Sequence, residues 1–307
     1  MQLKIFQRIN VEHPTLLASW PGMGNVALIA IDYLRRELKA ELIGEIDVSE
    51  FVTPNAVIVE EGLLKLPHIP KHNIYYRKQP DLIIVEGESQ LREKASILVI
   101  EQIIKLIKEF KVAKIFTGAA FPLPIHYQDP SIVYGCATTR NLRDILFSEY
   151  QVKVLEKGEI SGLNGLLLGY AREIGIPAAC LLATIPIYGV NLPNPKASKS
   201  MVKIFERLLG VKVNTMALDI EVERMEKELA ELEERIKEEL GTPLLTPAEA
   251  EESSGGEAPL HVRQRIERLF REARQDKSRA YLLKRELDKW NLFDSYEDRF
   301  LDLFKEH

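Results

Sequence analysis

At 307 residues, with 46% hydrophobic and 28% charged side chains, the chain has the make-up of a globular protein with room for more than one structural unit. Its net charge of −5 offers no overall basis for binding nucleic acid, and charged residues break every stretch that could cross a membrane. The opening MQLKIFQRIN lacks the apolar run of a signal peptide, so a cytoplasmic protein is expected.

Residues 1–214 alternate strand and helix patterns. Thr15–Trp20 reads as a strand, Asn25–Leu38 as a helix and Glu41–Asp47 as a strand, together one βαβ unit. Residues 48–80 differ: apolar and polar residues alternate around Pro54, Gly62, Pro67 and Pro70, which predicts an antiparallel excursion. Asp81–Glu86 follows as a buried strand, Glu93–Phe110 as an amphipathic helix, and Lys114–Thr117 as a strand ending at Gly118. Ile132–Thr138 and Arg140–Phe147 make a further strand and helix; Ala178–Thr184 and Ala197–Leu209 close the series. Continuous apolar strands between helices predict an α/β fold, a mostly parallel sheet covered by helices on both faces. Cys136 and Cys180 fall in apolar strands and are expected as reduced, buried thiols.

Residues 215–307 read as a helical extension. Leu218, Val222, Met225, Leu229, Leu232 and Ile236 form a heptad seam, and Val262, Ile266, Leu269, Ala273, Asp276, Ala280, Leu283, Leu287 and Trp290 a second. Residues 241–259 between them read as a linker. The first helix carries ten acidic and four basic residues, the second ten basic and five acidic, so a coiled-coil hairpin is expected, closed within one chain or swapped between chains. Binding of an acidic partner by the basic helix is the alternative.

Two turns could hold a ligand. Gly22-Met23-Gly24-Asn25 follows a strand and opens a helix, as a phosphate-binding turn does. Ala27 stands where a dinucleotide motif has its third glycine, so a tight turn with Asn25 as helix N-cap is the preferred reading; a small anion or polar ligand stays open. Ser161-Gly162-Leu163-Asn164-Gly165 precedes another helix in the same way. Glu86, at the carboxyl end of its strand, could act on a ligand or pair with a neighbour. The expected ligand crevice comprises Gly22, Gly24, Asn25, Glu86, Gly118, Asn164 and Gly165. The loop Thr117–Pro124 and the segment Ile185–Tyr188 offer Phe121, Pro122, Leu123, Ile185 and Tyr188 as a subunit contact. No histidine has metal-binding spacing, and no nucleophile elbow or P-loop is present; no metal, cofactor or catalytic residue is expected.

Taken in order, PGMGNVA (21–27), TPNAVIVEEG (53–62), DLIIVEGESQ (81–90), TGAAFPLP (117–124), NGLLLGYA (164–171) and GIPAACLLATIPIY (175–188) resemble the proteasome assembly chaperone family of archaea and bacteria. The resemblance covers about residues 1–214. It implies a phosphorylase/hydrolase-like fold, a homo-oligomer, and proteasome subunits or another protein client as partners. Archaeal members can end in a hydrophobic-Tyr-any tripeptide that docks on the core particle; this sequence ends Lys305-Glu306-His307. The expected function is an oligomeric protein-binding or assembly factor. The alternative is an enzyme or sensor that binds a nucleoside-like or phosphorylated small molecule at the strand carboxyl ends.

Overall fold

The computed structural model describes residues 1–240 except 53 and 55, then 260–275 and 280–289, and the single positions 292, 293, 296, 299, 300 and 303. The chain divides into two compact units, Met1–Leu244 and Leu245–His307.

The first unit is built on one nine-stranded sheet among the described residues. In chain order its strands are β1 (Gln2–Ile5), β2 (Thr15–Ser19), β3 (Glu41–Asp47), β6 (His72–Arg77), β7 (Leu82–Gly87), β8 (Lys114–Leu123), β9 (Val133–Ala137), β10 (Lys153–Val154) and β11 (Ala178–Pro186). Strands β4 (Ile58–Glu60) and β5 (Leu63–Lys65) form a separate hairpin. The spatial order is β1-β3-β6-β7-β2-β8-β11-β9-β10. The central strands β7, β2, β8 and β11 are parallel, and antiparallel pairs flank them. Strands β2 and β11 are buried along their whole length, as their unbroken apolar sequences require.

Helices α1 (Val26–Glu37) and α5 (Pro195–Leu209) cover one face; α2 (Glu93–Glu109) and α4 (Gly162–Glu173) cover the other. Helix α3 (Arg140–Tyr150) joins the first face through Leu142 and Leu146. The βαβ unit β2-α1-β3 exists, but β6 and β7 lie between its strands. Residues 48–80 supply both the predicted excursion, β4-β5, and a strand of the main sheet, β6.

The largest departure from predicted bounds is in β8. Thr117–Leu123, read as a loop, continues β8 and pairs with β11 as far as Pro186↔Leu123. Pairing with β2 ends at Ala18↔Thr117, so beyond that point β8 has a neighbour on one side only. A proline is tolerated there because its missing N–H leaves no ladder bond unmade.

Helix α6 (Met216–Leu240) packs within the first unit, its Leu218, Met225 and Leu229 buried. Lys196 of α5 bridges to Glu226 at 2.9 Å and donates to Tyr127 O at 2.8 Å; His126 meets Glu233 at 3.0 Å. In the second unit, α7 (Leu260–Gln275) and α8 (Ala280–Lys289) share an apolar cluster that includes Ile266, Phe270, Ala273, Leu283 and Leu287. Arg265 pairs with Glu286 at 3.2 Å. The predicted linker 241–259 and the seam positions Asp276 and Trp290 lie outside the described residues.

Candidate functional site

Helices that follow parallel strands begin at the strands' carboxyl ends, so their N-termini and the preceding turns gather on one side of the sheet. Here that side holds a cavity of about 450 Å³ between the two glycine turns. Its walls come from Trp20–Met23 after β2, Gln90–Arg92 after β7, Ala119 and Ala120 of β8, Leu182 of β11, and Glu159–Gly162 with Asn164 at the start of α4.

Two amides hold the turns together. Asn164 Oδ1 accepts from Trp20 N at 3.2 Å, and its Nδ2 donates to Trp20 O at 3.3 Å. Gln90 Nε2 donates to Pro21 O at 2.8 Å while its Oε1 accepts from Leu163 N at 3.1 Å. Thr117 Oγ1 donates to Asn164 O at 2.9 Å, which ties the same turn to β8. Trp20 and Thr117 are fully buried and Asn164 nearly so. Both atoms of each amide are therefore engaged in joining segments of the chain. The charged residues on the cavity wall, Arg92 and Glu159, are exposed.

The seven predicted crevice residues do not share one surface. Gly22 and Asn164 line the large cavity. Gly24 and Asn25 line a smaller one of about 250 Å³ with Val190–Pro193, which Gly22 also borders. Asn25 has positive φ, and its Oδ1 accepts from Gly22 N at 3.3 Å; it closes the turn before α1 and makes no side-chain cap to that helix. Gly118 sits where helices approach closely, since a Cβ there would lie 2.6 Å from Met201 Sδ and 2.9 Å from Ala27 Cβ. Gly165 passes against Ile160, whose carbonyl oxygen would lie 1.9 Å from an added Cβ.

Glu86 lines neither cavity. Its Oε2 accepts from Arg35 Nε at 2.9 Å, and Arg35 also bonds Asp32 and lies over the Tyr75 ring. Burial, outweighing the pull of Arg35, raises the Glu86 carboxyl to about 7, with Asp32 adding to the rise. Its Oε1 is buried without a hydrogen-bond partner, as is Oγ of Ser19, its register partner on β2. Nearby, His72 is fully buried and its pKa falls to about 4 for the same reason, loss of water around the charged form.

The predicted subunit-contact residues also separate. Ile185 is fully buried in the core and offers no surface. Tyr188 is half-buried, and its hydroxyl accepts from Tyr127 N at 3.0 Å; the adjoining Gly189 packs beneath Leu229 of α6. Phe121 stacks edge-on against Tyr134, while Pro122 and Leu123 stay partly exposed. Cys136 and Cys180 face each other in register between β9 and β11 as free thiols, and burial pushes Cys180 up to about 12. Among the described residues there is no cluster of three or more His, Cys, Asp or Glu that could hold a metal ion, and no helix long and apolar enough to cross a membrane.

The residues that sequence reasoning passed over are Trp20 and Gln90. Gln90 closes the DLIIVEGESQ segment three positions beyond β7, where a side chain reaches the neighbouring turns; that position was its only signal.

The model of the PAC2 family matches residues 16–233, more than half the chain. The chain belongs to the PAC2 family. The PAC2 match spans the sheet from β2 onward, both glycine turns and most of α6. Pyrococcus furiosus PbaB, an archaeal proteasome activator, has a similar structure: 26% identity, TM-score 0.65, covering 76% of this chain and 98% of PbaB. Pyrococcus furiosus PbaA, an archaeal homologue of proteasome-assembly chaperone, matches at 26% identity and TM-score 0.61, covering 77% and 93%. An uncharacterised protein of Methanocaldococcus jannaschii is 26% identical over 79% of this PAC2 chain and 92% of its own length.

Proposed function

We propose that this chain is an oligomeric protein-binding factor that acts on the proteasome, in its assembly or its activation. The observation that carries this reading is the similarity to PbaB and PbaA, each matched over more than nine-tenths of its length. The chemistry of the cavity supports it. The amides of Asn164 and Gln90 are committed to holding the turns, and the buried titratable groups Glu86 and His72 lie off the cavity wall. A general acid or base must reach the reacting atom, and neither group does so from its place. The test is to mix the full chain with proteasome core particles of its own organism and analyse the mixture by native mass spectrometry. A complex supports the reading; separate species at high micromolar concentrations of both would remove it.

A small-molecule reading is favoured by one observation, the size of the cavity, which falls in the range that holds nucleoside-like ligands. The same spectra decide it: a retained nucleotide-sized mass on the purified chain supports a ligand, and a bare chain opposes one.

A further inference from the structure

Strand β8 outlasts its neighbour. Its pairing with β2 stops at Ala18↔Thr117, while its pairing with β11 runs on to Leu123. The cause lies at the end of β2. The chain turns away at Pro21-Gly22, and Asn164 takes both backbone groups of Trp20, which would otherwise meet β8. Backbone groups alternate in direction along a strand. Ile115 N–H bonds Pro177 O beside β11, so Gly118 and Ala120 point to the opposite side, where β2 has stopped. Among the described residues no strand pairs with the C=O of Gly118 or with the N–H and C=O of Ala120 on that side. Ala120 is buried, and buried backbone groups need partners.

The 450 Å³ cavity lies against this edge, with Ala119 and Ala120 in one wall and Gln90–Arg92, which follow β7, in another. Adjacent strands lie about 4.8 Å apart, and β2 runs between β7 and β8. The space beyond its end is therefore a slot one strand wide. Both broad faces of the slot are apolar: Val26 and Ala27 of α1 on one, Ile160 and Leu182 on the other. A strand held between two apolar faces is itself an unbroken apolar run. The charged residues of the wall, Arg92 and Glu159, are of opposite sign, so the rim complements a segment that carries no net charge.

We propose that the slot binds an extended, uncharged apolar peptide segment about three residues long, the span of Gly118–Ala120, which takes the place of a longer β2 and hydrogen-bonds to the free edge of β8. In strand addition of this kind main-chain bonds supply affinity, and pockets for alternate side chains supply specificity. The proposal deepens the protein-binding reading, on which it rests, by naming the part of a client that is held. It does not require the client to be the proteasome.

The test is a fluorescence-anisotropy titration of the full chain against a labelled, end-capped heptapeptide with a Val-Leu-Val centre flanked by serines. Two companion peptides carry N-methyl groups on the three central residues, or aspartate for the central leucine. Two variants of the chain narrow the slot. At Gly22 φ is −161°, extended backbone that any residue adopts, and nothing lies within 4 Å of an added Cβ, so Gly22→Leu should fold. Ser161, on the opposite wall, makes no side-chain bond to cap α4, so Ser161→Trp should fold as well. The parent peptide is expected to bind with a Kd of about 1–100 μM. Each companion peptide and each variant should weaken binding about tenfold or more, with variant melting temperatures within about 2 °C of wild type. No binding at about 1 mM chain overturns the proposal. So does equal binding of the N-methylated peptide, or binding that neither substitution changes. A proteasome complex formed by a chain that holds none of these peptides would strike the slot alone; peptide binding without such a complex would strike the proteasome alone.

Discussion

Asn164 and Trp20 are 144 residues apart, yet the Asn164 carboxamide bonds both the N–H and the C=O of Trp20, as a neighbouring strand would. β2 ends at Ser19, so Trp20 lies just past its ladder, and a side chain from α4 takes over. Asn164→Ala would strand both backbone groups in a buried site. The expected loss is about 2–6 kcal/mol, from about one to three for each of the two unsatisfied groups. Urea unfolding of the variant checks this; a change below about 1 kcal/mol would mean that water replaces the amide.

Glu86 makes stability depend on pH in a defined direction. Its folded pKa is about 7 against an ordinary value of 4.5, so between those values the folded chain holds the extra proton. The resulting stability is fully present below pH 4.5 and lost as pH rises through 7. Glu86→Gln cannot titrate, and its amide keeps an acceptor for Arg35. Relative to wild type, the variant should therefore gain stability from pH 5 to pH 8, by up to about 3 kcal/mol. Denaturant unfolding across that range tests it, and a constant difference would refute the buried-carboxyl account.

How much of this was legible in the sequence depends on whether the cause was local. The strands β2, β7 and β11 were readable because burial on both faces demands unbroken apolar runs. The turns at Gly22 and Gly162 were readable because a chain leaving a strand for a helix needs small or polar residues there. The far half of β8 was not: Pro122 signals a loop unless one knows that β2 has stopped and left that side unpaired. Which of its two readings Glu86 follows was not legible for a similar reason. Arg35, which occupies it, is 51 residues away, and only the packing of α1 on β7 brings the two together. Gln90 and Trp20 escaped notice because their partners lie on different segments.

His72 is held neutral. Trp20 Nε1 approaches its Nδ1 at 3.5 Å, and its Nε2 is 3.2 Å from Ser89 O. A proton on Nε2 alone satisfies both contacts. Because its pKa is depressed to about 4, the group's contribution to stability is present above the ordinary 6.5 and lost as pH falls through 4. Nitrogen–proton correlation spectra should show the Nε2–H tautomer, with no titration between pH 7.5 and 5.5. A midpoint near 6.5 would contradict the burial argument.

Two glycines of α4, four residues apart, should respond to alanine in opposite ways. Glycine in a helix interior costs about 1 kcal/mol relative to alanine, because it loses more backbone freedom on folding. At exposed Gly169 nothing lies within 4 Å of an added Cβ, so Gly169→Ala should stabilise the chain by about 0.5–1 kcal/mol. At Gly165 the same methyl would meet Ile160 O at 1.9 Å and Ile160 C at 2.7 Å, both backbone atoms. They can yield only if the segment before α4 moves, and that segment lines the cavity. Gly165→Ala should therefore destabilise by about 2 kcal/mol or more, in the range of overpacked sites. Thermal unfolding of the two variants separates the effects: since helix propensity is common to both, a melting-point difference near zero would show that Ile160 gives way freely and that α4 is not held against it.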